Sequence, residues 1–279
     1  MTIQPGTLYL IGTPIGNLGD LSPRALEILA GVDFVAAEDT RVTGSLLLHF
    51  GIKRPLVSYY EHNLRQRGEQ IVARLQAGES CALCTDAGMP AISDPGCDIV
   101  RLCREAGIPV TSAPGPSAVT TALALSGLET GRFTFEGFLS TNRKNRTEHL
   151  EELRQERRTM VFYEAPHKLR RTLSDLFETL GEREIALCRE MTKLHEEVLR
   201  TTLSQAIAHF EATEPRGEFV LVVEGFSTQA LPTEDPDLEQ ALRDALAQGL
   251  SGRDAVKRVS EQCKVPKNQV YACYTSLTD

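Results

Sequence analysis

The sequence predicts an α/β protein made of two successive α/β regions, followed by a small helical module. Three observations predict it. Short apolar runs alternate with segments of helical spacing, glycine- and proline-rich loops follow the runs, and a late stretch of linker composition precedes capped helices.

In the first region, spanning 1–116, the apolar runs are 8–11, 34–37, 81–84 and 108–111. Residues 22–29, 68–75 and 96–105 between them have helical spacing. The runs are apolar throughout rather than alternating, which predicts a largely parallel sheet covered on both faces. The second region, 117–226, offers strands at 133–136, 159–163, 184–187 and 218–223 and predicts a mixed or antiparallel sheet. Residues 227–237, with Pro232 and Pro236, have linker composition. In the module at 237–279, Ser251-Gly252-Arg253-Asp254 reads as a capping-box start, and Pro266 opens a last helix carrying Val270, Tyr271 and Tyr274. Two helices meeting at Val265-Pro266 resemble a helix-turn-helix. Its Arg253, Lys257, Arg258, Lys264 and Lys267 suit phosphate contact, but a solvated helix face accounts for them equally well.

Composition bounds the function. A chain of 279 residues, 41% hydrophobic and 24% charged, is an ordinary globular protein of two domains, or one with an appendage. No run approaches the roughly 18 apolar residues a membrane span needs, and Met1 leads almost directly into strand-like residues, so a cytoplasmic protein without signal peptide or membrane contact is expected. The seven cysteines have no disulfide spacing, and Cys81-x-x-Cys84 has no second Cys or His pair at zinc spacing. Reduced structural thiols and no metal are expected. A net charge of −8 argues against a protein that coats nucleic acid, so any RNA contact has to be local.

In open α/β sheets ligands bind beyond the carboxyl ends of the strands. Four loops there carry Gly and Pro or charge: Gly12-Thr13-Pro14-Ile15-Gly16-Asn17, Glu38-Asp39-Thr40-Arg41, Asp86-Ala87-Gly88-Met89-Pro90 and Ala113-Pro114-Gly115-Pro116-Ser117. One such loop is an ordinary tight turn, whereas four at equivalent strand ends point to a small-molecule site. Gly12 to Gly16 lacks both the Lys-Ser/Thr of a Walker loop and the G-x-G-x-x-G of a dinucleotide fold. The strings GTPIGNLGDLSPRAL at 12–26, AEDTR at 37–41, TDAGMPAISDPG at 85–96, APGPSA at 113–118, FEGFL at 135–139, YEAPHK at 163–168 and GEFVLVVEG at 217–225 together resemble the small-subunit (16S) ribosomal RNA cytidine 2′-O-methyltransferases of the tetrapyrrole-methylase superfamily. Ser140 and Met191 depart from the residues common there, Pro and Leu.

That resemblance implies two α/β domains with a cleft between them for S-adenosyl-L-methionine. It also implies a homodimer acting on 16S rRNA or the small ribosomal subunit. By position it assigns Ile15, Met89, Ile92, Ser117, Ala118, Tyr163, Glu164, Met191 and Phe219 to the cofactor. Candidate chemical groups are Asp39, Arg41, Asp86, Glu164, His167, Glu190 and Lys193, since a ribose hydroxyl must lose its proton and its oxyanion must be stabilised. Asp39 is equally a helix cap, His167 a cap of the next helix, and Lys193 a surface partner of Glu196. Arg143, Lys144 and Arg146, in a polar stretch expected to be mobile, are the phosphate contacts, against a solvated helix at 147–158. Competing readings are a methylase of a precorrin-like tetrapyrrole and a non-catalytic RNA-binding assembly factor.

Overall fold

The computed structural model describes residues 2–227, 238–263 and 267–278 and divides into two compact units, Met1–Gly225 and Phe226–Asp279. Residues 228–237 of the linker predicted at 227–237 and residues Lys264, Val265 and Pro266 lie outside the described residues, as does the side chain of Lys267.

The first unit opens with β1 (Leu8–Ile11), α1 (Pro23–Gly31), β2 (Phe34–Ala37), α2 (Thr40–His49), β3 (Leu56–Ser58), α3 (Leu64–Gln76), β4 (Cys81–Cys84), α4 (Cys97–Glu105) and β5 (Val110–Ala113). These strands form one fully parallel sheet in the order β3-β2-β4-β1-β5. Successive residues point to opposite faces. Tyr9, Ile11, Val35, Ala82 and Cys84 therefore pack on Ala25, Ile28 and Leu29 of α1 and Leu47 of α2. Leu8, Phe34, Ala36, Cys81 and Leu83 pack on α3 and α4 through Ile71, Leu75, Ile99 and Cys103. Burial on both faces is why the runs are apolar throughout. The strand expected at 108–111 is β5, which starts two residues later: Ile108 N still donates to Cys103 O of α4, and Pro109 has no N–H to give to a ladder. Cys81, Cys84 and Cys103 are buried free thiols, pushed up by that burial, Cys84 to about 12.

The same unit continues with α5 (Ala118–Ser126), β6 (Phe133–Phe138), α6 (Arg143–Glu152), β7 (Thr159–Glu164), α7 (Pro166–Leu180), β8 (Glu184–Arg189), β9 (Glu197–Thr202), α8 (Leu203–Ala212) and β10 (Phe219–Val223). The sheet order is β6-β7-β10-β8-β9, with β6 and β7 parallel and the other pairs antiparallel, a mixed sheet. One face packs on α6, α7 and α8 through Leu150, Leu169, Leu173 and Phe210, the other on α5 through Val119, Ala122 and Leu123.

The stretch 141–146 is not an irregular segment. Asn142 caps α6, its Oδ1 accepting from Lys144 N at 3.0 Å and Asn145 N at 3.3 Å, and the backbone is helical from Arg143. Ser140 supports that start by accepting from Asn142 N at 3.2 Å.

The second unit holds α9 (Leu238–Ala247), α10 (Gly252–Cys263) and α11 (Lys267–Thr278) around Leu242, Ala255, Val259 and Val270. Ser251 caps α10 as the capping-box reading expects, accepting from Asp254 N at 3.3 Å and donating to its carboxylate at 2.6 Å. Tyr274 packs closely against Gly252, while Tyr271 stays exposed. Arg253, Lys257 and Arg258 are exposed. Among the described residues no helix is long and apolar enough to cross a membrane.

Candidate functional site

The strand-end loops of the first sheet are stitched to one another. Thr13 and Gly88 exchange backbone hydrogen bonds at 2.9 and 3.1 Å, and Thr13 Oγ1 donates to Thr85 O at 3.1 Å. The loops after β1 and β5 meet at Gly12 and Gly115: a Cβ on Gly115 would lie 2.6 Å from Gly12 O, and one on Gly12 would lie 2.6 Å from Gly115 Cα and N. Loop-on-loop packing thus requires glycine at both positions.

Above this floor lies a cleft of about 540 Å³, within the size range of small-molecule sites. Its walls come from the carboxyl ends of β1, β2, β4, β6, β7 and β8, the start of α5 and the start of β10. All nine residues expected at the cofactor line it: Ile15, Met89, Ile92, Ser117, Ala118, Tyr163, Glu164, Met191 and Phe219.

The expected chemical groups divide. Asp86, Glu164, Glu190 and Lys193 line the cleft, whereas Asp39, Arg41 and His167 do not. Asp39 caps α2, accepting from Arg41 N at 2.8 Å, and hydrogen bonds from the Arg41 guanidinium hold its carboxyl down at about 2. Arg41 is turned to solvent. His167 is exposed in the first turn of α7, whose start is set by Pro166 after the cap residue Ala165.

Glu164 is buried with both oxygens engaged, one by Ala165 N at 2.8 Å and the other by Thr172 Oγ1. Thr172 in turn receives Arg146 at 2.8 Å, and Arg146 pairs with Asp175 at 2.5 Å. This network pins β7, α6 and α7 together. It also corrects the expectation for Arg146, whose side chain is 5% exposed and turned into the protein, away from any phosphate. Arg143 and Lys144, on the same helix, are exposed.

Lys193 is held by two carboxylates, Glu190 at 3.1 Å and Glu218 at 3.0 Å, not by Glu196. Burial disfavours its charge, but these hydrogen bonds outweigh it and lift the ammonium above its usual range. Glu190 accepts from Glu218 N at 3.0 Å as well, which together with Lys193 keeps its carboxyl low. The turn carrying them is strained, with Glu190 at φ 50° and Thr192 at φ 66°.

Sequence reasoning missed Glu38 and Asp94. Glu38 accepts from Thr85 Oγ1 at 2.7 Å, and both line the cleft beside Asp86. Burial raises the pKa of Asp86 and Asp94, and repulsion from Glu38 adds to it. Tyr163 is pushed up to about 12 by burial and by Asp94. The only signal in the sequence was position, Glu38 directly after β2 and Asp94 in the loop after β4.

Known proteins resemble this chain. The Tetrapyrrole (Corrin/Porphyrin) Methylases family model matches residues 7–207, and that of the RsmI C-terminal HTH domain matches 232–278. A Synechocystis protein named ribosomal RNA small subunit methyltransferase I is 49% identical over 268 residues, 95% of this chain and 96% of that one. A protein of the same name from Bacillus subtilis is 43% identical, covering 96% and 94%. One from Thermotoga maritima is 48% identical over 220 residues, 79% of this chain but 99% of its own length. Among solved structures, a uroporphyrin-III C-methyltransferase from Thermus thermophilus aligns with TM-score 0.56 at 23% identity, covering 78% of this chain and 94% of that one. Diphthine synthase aligns at 0.59 and 14%, covering 78% and 90%. These two likenesses establish the fold alone.

Proposed function

This chain belongs to the tetrapyrrole methylase family, and we propose that it methylates the ribose 2′-hydroxyl of a cytidine in 16S ribosomal RNA, using S-adenosyl-L-methionine. The observation that carries the reading is the cleft, which gathers every strand-end loop of the family strings around one cavity.

The lining suits this cofactor. Ile15, Met89, Met191, Phe219 and Val220 offer apolar surface for a ring, and Glu38, Asp86, Asp94, Glu190 and Glu218 offer negative charge to a cationic ligand. When bound, S-adenosylmethionine supplies a methyl group on a positively charged sulfur, open to displacement by an oxygen nucleophile. The protein has to hold the hydroxyl in line and take its proton. Asp86 and Asp94 take it, because burial and repulsion from Glu38 make them better proton acceptors than ordinary carboxylates. Lys193 remains an ammonium and stabilises the charge developing on oxygen. Glu164 orders the wall, each of its oxygens already accepting a hydrogen bond.

The relatives favour RNA over a tetrapyrrole as substrate: proteins at 43–49% identity carry the ribosomal RNA name, and the likeness to corrin methylases is below 25%. Arg143 and Lys144 supply the local positive charge such a substrate needs against the acidic background. The unit Phe226–Asp279, with exposed Arg253, Lys257 and Arg258, presents RNA rather than performing chemistry. Homodimerisation is part of the same proposal. The decisive experiment maps ribose methylation in 16S rRNA from cells lacking this protein. One cytidine is expected to lose its 2′-O-methyl group and to regain it when purified protein and S-adenosylmethionine are added, and an unchanged methylation map would refute the assignment.

A further inference from the structure

Two large apolar side chains of the cleft lining stay exposed, Phe138 at 55% and Ile92 at 49%. Both sit beside unusual backbone. Ile92 lies between Ala91 and Ser93, each at φ 69°, and Phe138 follows Gly137 at φ 64°. Exposing a Phe ring forgoes burial that favours folding by roughly 1.5–3 kcal/mol, so an exposed ring at a cleft mouth calls for a reason.

The bulge in β6 places Phe138 there. Phe135 pairs with Val161, but Gly137 pairs with Phe162 and Phe138 with Tyr163, so Glu136 is an extra residue in the strand. In an unbulged strand, residues 135 and 138 would face opposite sides. The inserted residue shifts the phase, and Phe138 joins Phe135 and Tyr163 on the cleft side. The three rings form an edge-to-face cluster, with Tyr163 at 5.0 Å from Phe135 and 5.4 Å from Phe138. Glu136 itself is held by His149 at 2.9 Å, which fixes the bulge from behind through α6. Phe138 is thus a ring braced along one edge, with much of its surface still open to the cleft. Four residues further on, Asn142 caps α6, and Arg143 and Lys144 are exposed beside it.

We propose that Phe138 is the platform on which the base of the target nucleotide stacks while its ribose is methylated. The inference rests on the function proposed above and adds the residue that positions the substrate. Proteins that act on a single nucleotide take it out of its stack and hold the base against an aromatic face, while nearby cations hold the phosphates. The braced ring and the exposed Arg143 and Lys144 are such a pair. Met89, Ser117, Met191 and Phe219, all less exposed than Phe138, are left to hold the methyl donor.

The test uses the full chain and small ribosomal subunits from cells lacking it. Stacking on one aromatic is worth ~1–3 kcal/mol per base, so Phe138→Ala should lower kcat/KM for the subunit by roughly 5–150-fold. Affinity for S-adenosylmethionine, measured by calorimetry, should change less than about twofold. Phe138→Trp should restore most of the loss, whereas Phe138→Leu, which is apolar without a π-face, should not. Rescue by Leu as complete as by Trp would reduce the residue to packing and overturn the proposal. So would unchanged methylation in Phe138→Ala, or a loss confined to S-adenosylmethionine binding. Wild-type protein that binds S-adenosylmethionine yet methylates no subunit would overturn the proposed function itself, a failure distinct from those of the variants.

Discussion

Arg146→Ala separates a structural role from an RNA-binding one. The Arg146 side chain is 5% exposed, donates to Asp175 at 2.5 Å and to Thr172 at 2.8 Å, and leaves both acceptors behind when removed. Breaking a buried ion pair by deleting one partner costs ~3–5 kcal/mol when the other is left isolated. Asp175 is 27% exposed and has Arg171 at 3.6 Å, so water and a second cation soften the loss, and we expect about 2–3 kcal/mol. In a unit of this size each kcal/mol lowers Tm by ~2–4 °C, so a fall of roughly 5–10 °C should appear in calorimetry or circular dichroism. RNA affinity, measured well below Tm, should keep its salt dependence. Arg143→Ala with Lys144→Ala should do the reverse, leaving Tm in place while the slope of log K against log salt falls by about 1.4, or ~0.7 per single-strand phosphate contact. An Arg146→Ala protein with unchanged Tm and a flattened salt slope would refute the assignment.

The folded-state carboxyls of Asp86 and Asp94 lie above the ordinary carboxylate value, so the fold binds their protons more tightly than the unfolded chain does. Their contribution to stability is therefore greatest below the unfolded carboxylate pKa and is lost as pH rises through the folded one. Asp86→Asn and Asp94→Asn should raise Tm at pH 7, with the gain vanishing under acid conditions, while methyl transfer by the parent should fall as pH drops through that raised range; destabilised variants at pH 7 would contradict this. Gly115→Ala forces a Cβ to 2.6 Å from Gly12 O and should destabilise by ~1–3 kcal/mol with weaker S-adenosylmethionine binding, and normal melting with normal calorimetry would show that the loops give way. A chain ending at Gly225 should fold and bind S-adenosylmethionine at near-normal affinity while its KM for small subunits rises; loss of cofactor binding in a folded truncation would place the second unit at the site.

Much of the fold is legible in the sequence because the first sheet is covered on both faces. Residues 8–11, 34–37 and 81–84 stand out as unbroken apolar runs, and each is a strand with those bounds. The strands that escaped notice lack that signature. β3 has three half-buried residues at a sheet edge, and β9, Glu-Val-Leu-Arg-Thr-Thr, is an edge strand in the second sheet. That the nine residues expected at the cofactor share one cleft was also foreshadowed, since all but Met191 belong to a family string at a strand end, a property of local order along the chain.

The electrostatics of the site were decided only in three dimensions. Arg146 stands in a basic, polar stretch, and nothing within it announces that Thr172 and Asp175, 26 and 29 residues away, will receive its guanidinium. Glu38 and Asp94 crowd Asp86 only because parallel pairing sets the ends of β2 and β4 side by side. Hydrophobic periodicity and turn chemistry act between neighbours in sequence and can be read there. The charge a carboxylate carries and the direction a guanidinium takes depend on burial and on partners brought from afar, which the packing of the two sheets decides.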